Sequence, residues 1–207
     1  MKLLSGGGPS VLPFNIAIET FVISLEGSRP PMRLSQILRS GSILPGGDDD
    51  GHGSWGIFFS PGDAAFAVKL FCNEQQFAHE KIGYDKALGE PALVRFANQC
   101  DEVTLLLDTD AYPSNRKEPP FEKALLVPLL SSPPWEKVGK LGCPETDEML
   151  AQSGVEVESL KNDFLRAGLA SWEVTFFIHS ESRDIKAIDF TYSELVFKNC
   201  AEADGHE

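Results

Sequence analysis

Positive charge is scarce in this chain. Its 207 residues hold 18 Lys and Arg against 31 Asp and Glu, a net charge of -13. A field of that sign repels a phosphate backbone and argues against a general nucleic-acid binder. Any site for a polyanion must then depend on a few local cations. Long apolar runs are also missing: none approaches the roughly 20 residues that span a bilayer, so no membrane role is expected. Cysteine is sparse, and Cys72, Cys100, Cys143 and Cys200 form no C-x-x-C pair. The opening Met1-Lys2-Leu3-Leu4 runs into Ser-Gly-Gly-Gly-Pro rather than an apolar secretory segment. Together these point to free, mostly buried thiols in an intracellular protein, cytoplasmic or nuclear.

What is present suffices for one substantial soluble domain, since 42% of the residues are apolar. Residues 1–12, rich in Gly, Ser and Pro, read as flexible, and residues 14–23 as a strand or a short helix, with strand preferred. Residues 33–39 form a short amphipathic turn of helix. Asp48, Asp49 and Asp50 lie beside glycines but lack the alternating ligands and distal glutamate of a calcium loop, so they read as a solvated turn. Residues 55–59 and 64–71 favour strand and are joined by Ser60-Pro61-Gly62-Asp63, a turn signal, which predicts a hairpin. After Asn73 the period changes, and Phe77, Ile82, Tyr84 and Leu88 mark the apolar side of a helix that Gly89 and Pro91 stop.

Residues 92–96, 103–107 and 121–130 read as further strands, completing a five-stranded sheet with one helix. Residues 145–169 are helical by composition, with Val155, Val157, Leu160, Phe164 and Leu165 as an apolar face and Gly168 as the C-cap. Strands at 173–179 and 185–190 follow, and the acidic residues after Ala201 read as a disordered tail. A boundary falls near residues 131–134.

The chemistry concentrates in residues 51–88. Gly51, Gly53 and Gly56, with His52, Ser54 and Trp55 between them, fit G-x-G-x-x-G. A dinucleotide site would need a helix opening straight after the glycines, but Ile57-Phe58-Phe59 continues as strand. Strand, glycine turn, strand is instead a way to cover phosphates. Ala67-Val68-Lys69 ends the second strand, and Glu80 lies on the helix after it. An ammonium so placed can bridge two phosphate oxygens if a carboxylate holds it. Far downstream, Ile185-Lys186-Ala187-Ile188 leads to Asp189 and Phe190.

In that order these pieces resemble the upper lobe of protein kinases. The spacing Phe77, Glu80, Tyr84, Leu88 is similar to short kinase-like proteins of fungi, including a kinetochore-associated family. The resemblance covers residues 42–192. It implies an α+β fold class: an N-terminal extension (1–33), a kinase-like N-lobe of a five-stranded antiparallel sheet plus one helix (34–131), a reduced, mainly helical C-lobe (132–200) and an acidic tail (201–207). It also implies that Gly51, Gly53, Ser54, Trp55, Gly56 and Lys69 touch a nucleotide, that Lys69, Glu80 and Asp189 are the catalytic set, and that Asp189 ligates a metal. ATP and Mg2+ are the cofactors implied, if any is used.

Departures from the kinase pattern weigh against catalysis. Thr191 stands where the metal-binding motif has glycine, and residues 168–177 lack the aspartate and asparagine of a catalytic loop. Glu173 is the only nearby carboxylate that could stand in as a base. Only 17 residues follow Phe190, short of an activation segment. The expectation is therefore a pseudokinase-like module that binds a nucleotide or a protein partner. Alternatives are a compact ATP-dependent phosphotransferase with a non-standard base and a kinase-like fold recruited to other small-molecule chemistry. A homo-oligomer could form through the incomplete C-lobe. Ordinary readings stand beside these: Lys69 as a strand-end surface lysine, Glu80 pairing locally with Lys81 or Lys86, Asp189 capping a turn, and His52 and His79 without ligand spacing. Phe58, Phe59, Phe66 and Phe71 are expected in the hairpin core, with Trp55 exposed.

Overall fold

The computed structural model describes residues 29–40, 42–43, 56–59, 66–112, 118–130 and 133–194. The expected strand at 14–23, the acidic turn at 48–50, the tight turn at 60–63 and the tail after Ala201 lie outside the described residues, as do Gly51, His52, Gly53, Ser54 and Trp55.

The first part of the chain contains β1 (Met32–Arg33), α1 (Leu34–Ser40), β2 (Ser42–Ile43), β3 (Gly56–Phe59), β4 (Phe66–Leu70), α2 (Glu74–Gly89), β5 (Asp101–Leu106) and β6 (Lys123–Pro128). Its sheet has the order β1-β5-β6-β4-β3-β2. The β3–β4 pair is antiparallel, as the hairpin expectation required, and β4–β6 and β5–β6 are antiparallel too. The expected five-stranded antiparallel sheet is corrected in two ways. The sheet has six strands, and β1 runs parallel to β5 at its edge.

Residues 92–96 are not a strand but a run of turns. Leu93 and Phe96 are buried while Val94 and Arg95 point outward. That spacing of three buries both large side chains in a bend, where alternation would have turned one of them away. Leu93 N–H and Val94 N–H both donate to the Glu90 carbonyl, and Phe96 N–H donates to Leu93, which completes the turns.

β4 explains how the sheet is covered. Val68 and Leu70 face one side, where Leu34 and Ile37 of α1 pack with Val103, Leu105, Ala124 and Leu126. Ala67 and Phe71 face the other, toward α2. Strand alternation puts Lys69 on that second side. α1 is held from a distance: the Asp108 carboxylate accepts from Ser35 N–H at 2.9 Å and from the Ser35 hydroxyl at 2.8 Å. These bonds supply the N-terminal acceptor that a helix of this length otherwise lacks. They hold Asp108 low, at about 2.

The second part holds β7 (Trp135–Lys140), α3 (Pro144–Gln152), α4 (Val157–Arg166), β8 (Thr175–His179) and β9 (Ile185–Ile188). The expected mainly helical character is corrected: β7-β8-β9 form an antiparallel three-stranded sheet beside two helices. The predicted helical stretch at 145–169 is interrupted at residues 153–156, and Gly168 follows α4 in the left-handed conformation, φ +71°. β7 carries a register irregularity between Lys137 and Gly139. Gly139 has φ +137°, and a Cβ there would sit 2.3 Å from Thr146 Oγ1 of α3.

One apolar core runs through both parts. It joins Phe71 beside β4, Phe77, Tyr84 and Ala87 of α2, Leu150, Leu160 and Phe164 of α3 and α4, Phe176 of β8, and Phe190. Phe190 meets Tyr84 edge-on at 5.2 Å and stacks on Phe164 at 6.1 Å, while Phe176 meets both Phe164 and Phe96. Each fully buried ring of this kind contributes about 1.5–3 kcal/mol of transfer free energy. Phe66, expected in the hairpin core, is 47% exposed, and Ile82 faces outward from α2. Cys100 is a buried and Cys143 an exposed free thiol, and Cys72 is half-buried. Among the described residues no helix is long and apolar enough to cross a membrane.

Candidate functional site

α2 starts cleanly. The Asn73 side chain accepts from Gln76 N–H at 2.9 Å, and Glu74 stands in the first turn, where a carboxylate favours the helix dipole. Its buried stripe is Phe77, Glu80, Gly83, Tyr84 and Ala87, spaced by three and four, so a carboxylate lies in the middle of an apolar face. That face packs on the side of β4 that carries Lys69.

The last strand completes the arrangement. β9 ends at Ile188, and Asp189 turns out of it at φ +65°, a region that non-glycine residues seldom enter and that Asp tolerates better than most. The segment that follows is fixed on two sides. Against α2, Tyr192 N–H donates to the His79 carbonyl at 3.0 Å. Against residues 168–170, Ala170 N–H donates to the Thr191 carbonyl and Ser193 N–H to that of Gly168. Gly83 permits the closest approach: a Cβ there would lie 2.0 Å from the Phe190 carbonyl oxygen.

These contacts bring Lys69, Glu80 and Asp189 together. Lys69 Nζ lies 2.7 Å from Glu80 Oε1 and 2.7 Å from Asp189 Oδ1. Only the Asp189 contact is aligned as a hydrogen bond, and Glu80 Oε1 is left buried without an aligned donor. Lys69 is 6% exposed and Glu80 5%, whereas the Asp189 side chain is 30% exposed. Lys69 is thus no surface lysine. Glu80 in turn pairs with Lys69 across to β4, while Lys81 binds Asp85.

Burial alone would drive the Lys69 ammonium toward neutrality, but the Asp189 and Glu80 carboxylates outweigh it and hold the lysine above its ordinary range. Burial pushes the Glu80 carboxyl up to about 7, against the pull of Lys69 and with the repulsion of Asp189. The Tyr84 phenol, buried and close to both carboxylates, is raised well above its usual value and stays protonated. Its oxygen accepts from Asp189 N–H at 3.3 Å. Gly83, and Tyr84 as a partner of Asp189 rather than only an apolar-face residue, were not among the site residues expected from the sequence. The available signal was spacing: Tyr84 is four positions after Glu80, on the same helix face.

The rest of the expected site is distributed otherwise. Gly56 begins β3, opposite Leu70 of β4, so it lies at the end of the hairpin near Lys69. The remaining glycine-turn residues, Gly51, Gly53, Ser54 and Trp55, are outside the described residues. Glu173 is exposed in the turn before β8 and feels the trio only at a distance, as a minor influence on Glu80. For a metal ion, the described residues offer no cluster of three His, Cys, Asp or Glu. Magnesium with a nucleotide needs only one or two carboxylates, the rest of its shell being water and phosphate. Asp189, through Oδ2, could supply one of these.

Chemically, the trio is one buried ammonium between two carboxyl groups, Glu80 buried and raised to about 7 and Asp189 facing outward. Comparison with protein-family models, with curated proteins and with solved structures finds no match to this chain.

Proposed function

We propose that the chain is a binding module related to the protein kinases, in which Lys69, held by Glu80, receives the phosphates of a nucleotide, and in which the standard catalytic loop is missing. One observation supports this reading above the others: Lys69, Glu80 and Asp189, separated by as many as 120 positions, meet within 2.7 Å of one ammonium. A lysine needed only for solubility would not be buried between two carboxylates, since that placement costs desolvation of all three groups. Such expense is typical of sites that hold a charge ready for a ligand. A magnesium ion arriving with the nucleotide would be held by Asp189 and would supply charge neutralisation for the phosphates. The chain's own part is to keep Lys69 charged and oriented, which Glu80 does from α2.

The test is a thermal-shift titration with ATP, with and without magnesium, on the wild type and on Lys69→Met. A ligand that binds the folded form raises the melting temperature once its concentration passes the dissociation constant. The expected result is a rise with wild type that Lys69→Met removes. No rise at millimolar nucleotide, or one that survives the substitution, overturns the proposal.

A further inference from the structure

The trio as it stands is closed to the ligand it would hold. Asp189 Oδ1 takes the one aligned hydrogen bond of the Lys69 ammonium. Among the described residues of the trio, Lys69 and Glu80 are buried and Asp189, 30% exposed in its side chain, is the member that meets solvent. A phosphate arriving there meets a carboxylate in its place and is repelled by it, and the chain's net charge of -13 adds to that repulsion.

We infer that Asp189 is an internal competitor for the anion site on Lys69, a carboxylate that holds the site shut until its side chain swings away. The inference rests on the reading of Lys69 as a phosphate-binding residue and adds to it how the site is regulated. Two further observations carry it. Lys69 lies 2.7 Å from both carboxylates, yet only its contact with Asp189 is aligned as a hydrogen bond, so Asp189 competes with Glu80 for the N–H groups of the ammonium. Release of Asp189 lets Lys69 turn back to Glu80 and present its remaining N–H groups outward. The backbone of Asp189, meanwhile, is fixed: its N–H is on the Tyr84 hydroxyl, and the next carbonyl abuts Gly83. Opening therefore needs only rotation of one part-exposed side chain, with no movement of β9 or α2.

Inorganic tripolyphosphate is the probe, titrated calorimetrically without divalent cations. The forms compared are the full chain as wild type, Asp189→Asn, Asp189→Ser and Asp189→Asn combined with Lys69→Met. Asn preserves shape and tolerates the left-handed backbone, so the first variant keeps the fold, and Ser gives an independent removal of the charge. Glu136→Gln, an exposed change on β7, controls for the loss of one negative charge. Both single Asp189 variants are expected to bind tripolyphosphate about tenfold or more tightly than wild type, as removal of a like charge in contact with the ligand implies. The gain should vanish with Lys69→Met and be absent in Glu136→Gln. Binding by wild type that is equal to or tighter than that of Asp189→Asn overturns the competitor role and leaves the phosphate site standing. A gain that survives Lys69→Met, or that Glu136→Gln reproduces, overturns it as well. Failure of every form to bind at millimolar concentration overturns both this inference and the phosphate-site reading.

Discussion

Lys69 shows how much a single side chain can commit a fold to. Its replacement by methionine keeps the stem's packing but leaves Glu80 buried without a cation. Breaking a buried pair in this way costs about 3–5 kcal/mol. Lys69→Met should lower stability by that amount in urea unfolding at pH 8, and adding Glu80→Gln should restore most of it. The pH dependence follows from Glu80. Its ordinary value is 4.5 and burial raises it to about 7 in the folded chain. A raised carboxyl contributes stability that is fully present below 4.5 and is lost as pH rises through about 7. Wild type should therefore lose stability between pH 5 and pH 8 relative to Glu80→Gln, and the Lys69→Met penalty should shrink at pH 5. Parallel pH profiles for wild type and Glu80→Gln would remove Glu80 as a buried titrating group. The three charged residues were each legible in the sequence. Their burial was not, because burial of a lysine depends on what the last strand places over it.

Among the elements, α2 is the one whose position everything else takes. Its start, its length and its buried stripe follow from Asn73, from the spacing of Phe77, Glu80, Tyr84 and Ala87, and from Gly89. Most of this could be read from the chain. Ile82 could not, since an apolar residue on an exposed face obeys no period, and the stripe passes instead through Gly83. Gly83→Ala tests the contact directly. Helix propensity alone would favour alanine by about 1 kcal/mol. The added Cβ, 2.0 Å from the Phe190 oxygen and 2.5 Å from its carbon, meets backbone that cannot yield without moving Asp189. A net loss of about 1–3 kcal/mol is expected in urea unfolding, as for overpacked cores. Unchanged or improved stability would mean that α2 and the 189–191 segment separate easily. The strand expected at 92–96 and the missed β7 failed for opposite reasons: the first has strand composition bent into turns, and the second is a half-polar edge strand, Trp135–Lys140, without a repeating apolar face.

At the scale of the molecule, the two sheets share one core. Composition suggested a boundary near residues 131–134, yet Phe164, Phe176 and Phe190 from beyond it pack with Tyr84 and Phe96 from before it. Such contacts leave no local pattern, which explains why elements were more legible than their assembly. Unfolding should therefore be a single transition, with tryptophan fluorescence and circular dichroism coinciding. A fragment ending at residue 130 should fail to fold, because it strips the ring partners Phe190 and Phe176 from Tyr84 and Phe96. A cooperative transition in that fragment would contradict the shared core.

The meeting of Lys69 with Asp189 also has a bearing on time. Closing a loop of 120 positions is slow to be rewarded during folding, and both sheets must be in place before the two residues can touch. The contact is therefore expected to form after the transition state, which a φ-value near zero for Asp189→Asn in stopped-flow folding would check. Its loss leaves the rate of folding nearly as it was and shortens the lifetime of the folded form. The bond that would keep a ligand out is thus also the latch that slows the protein's unravelling.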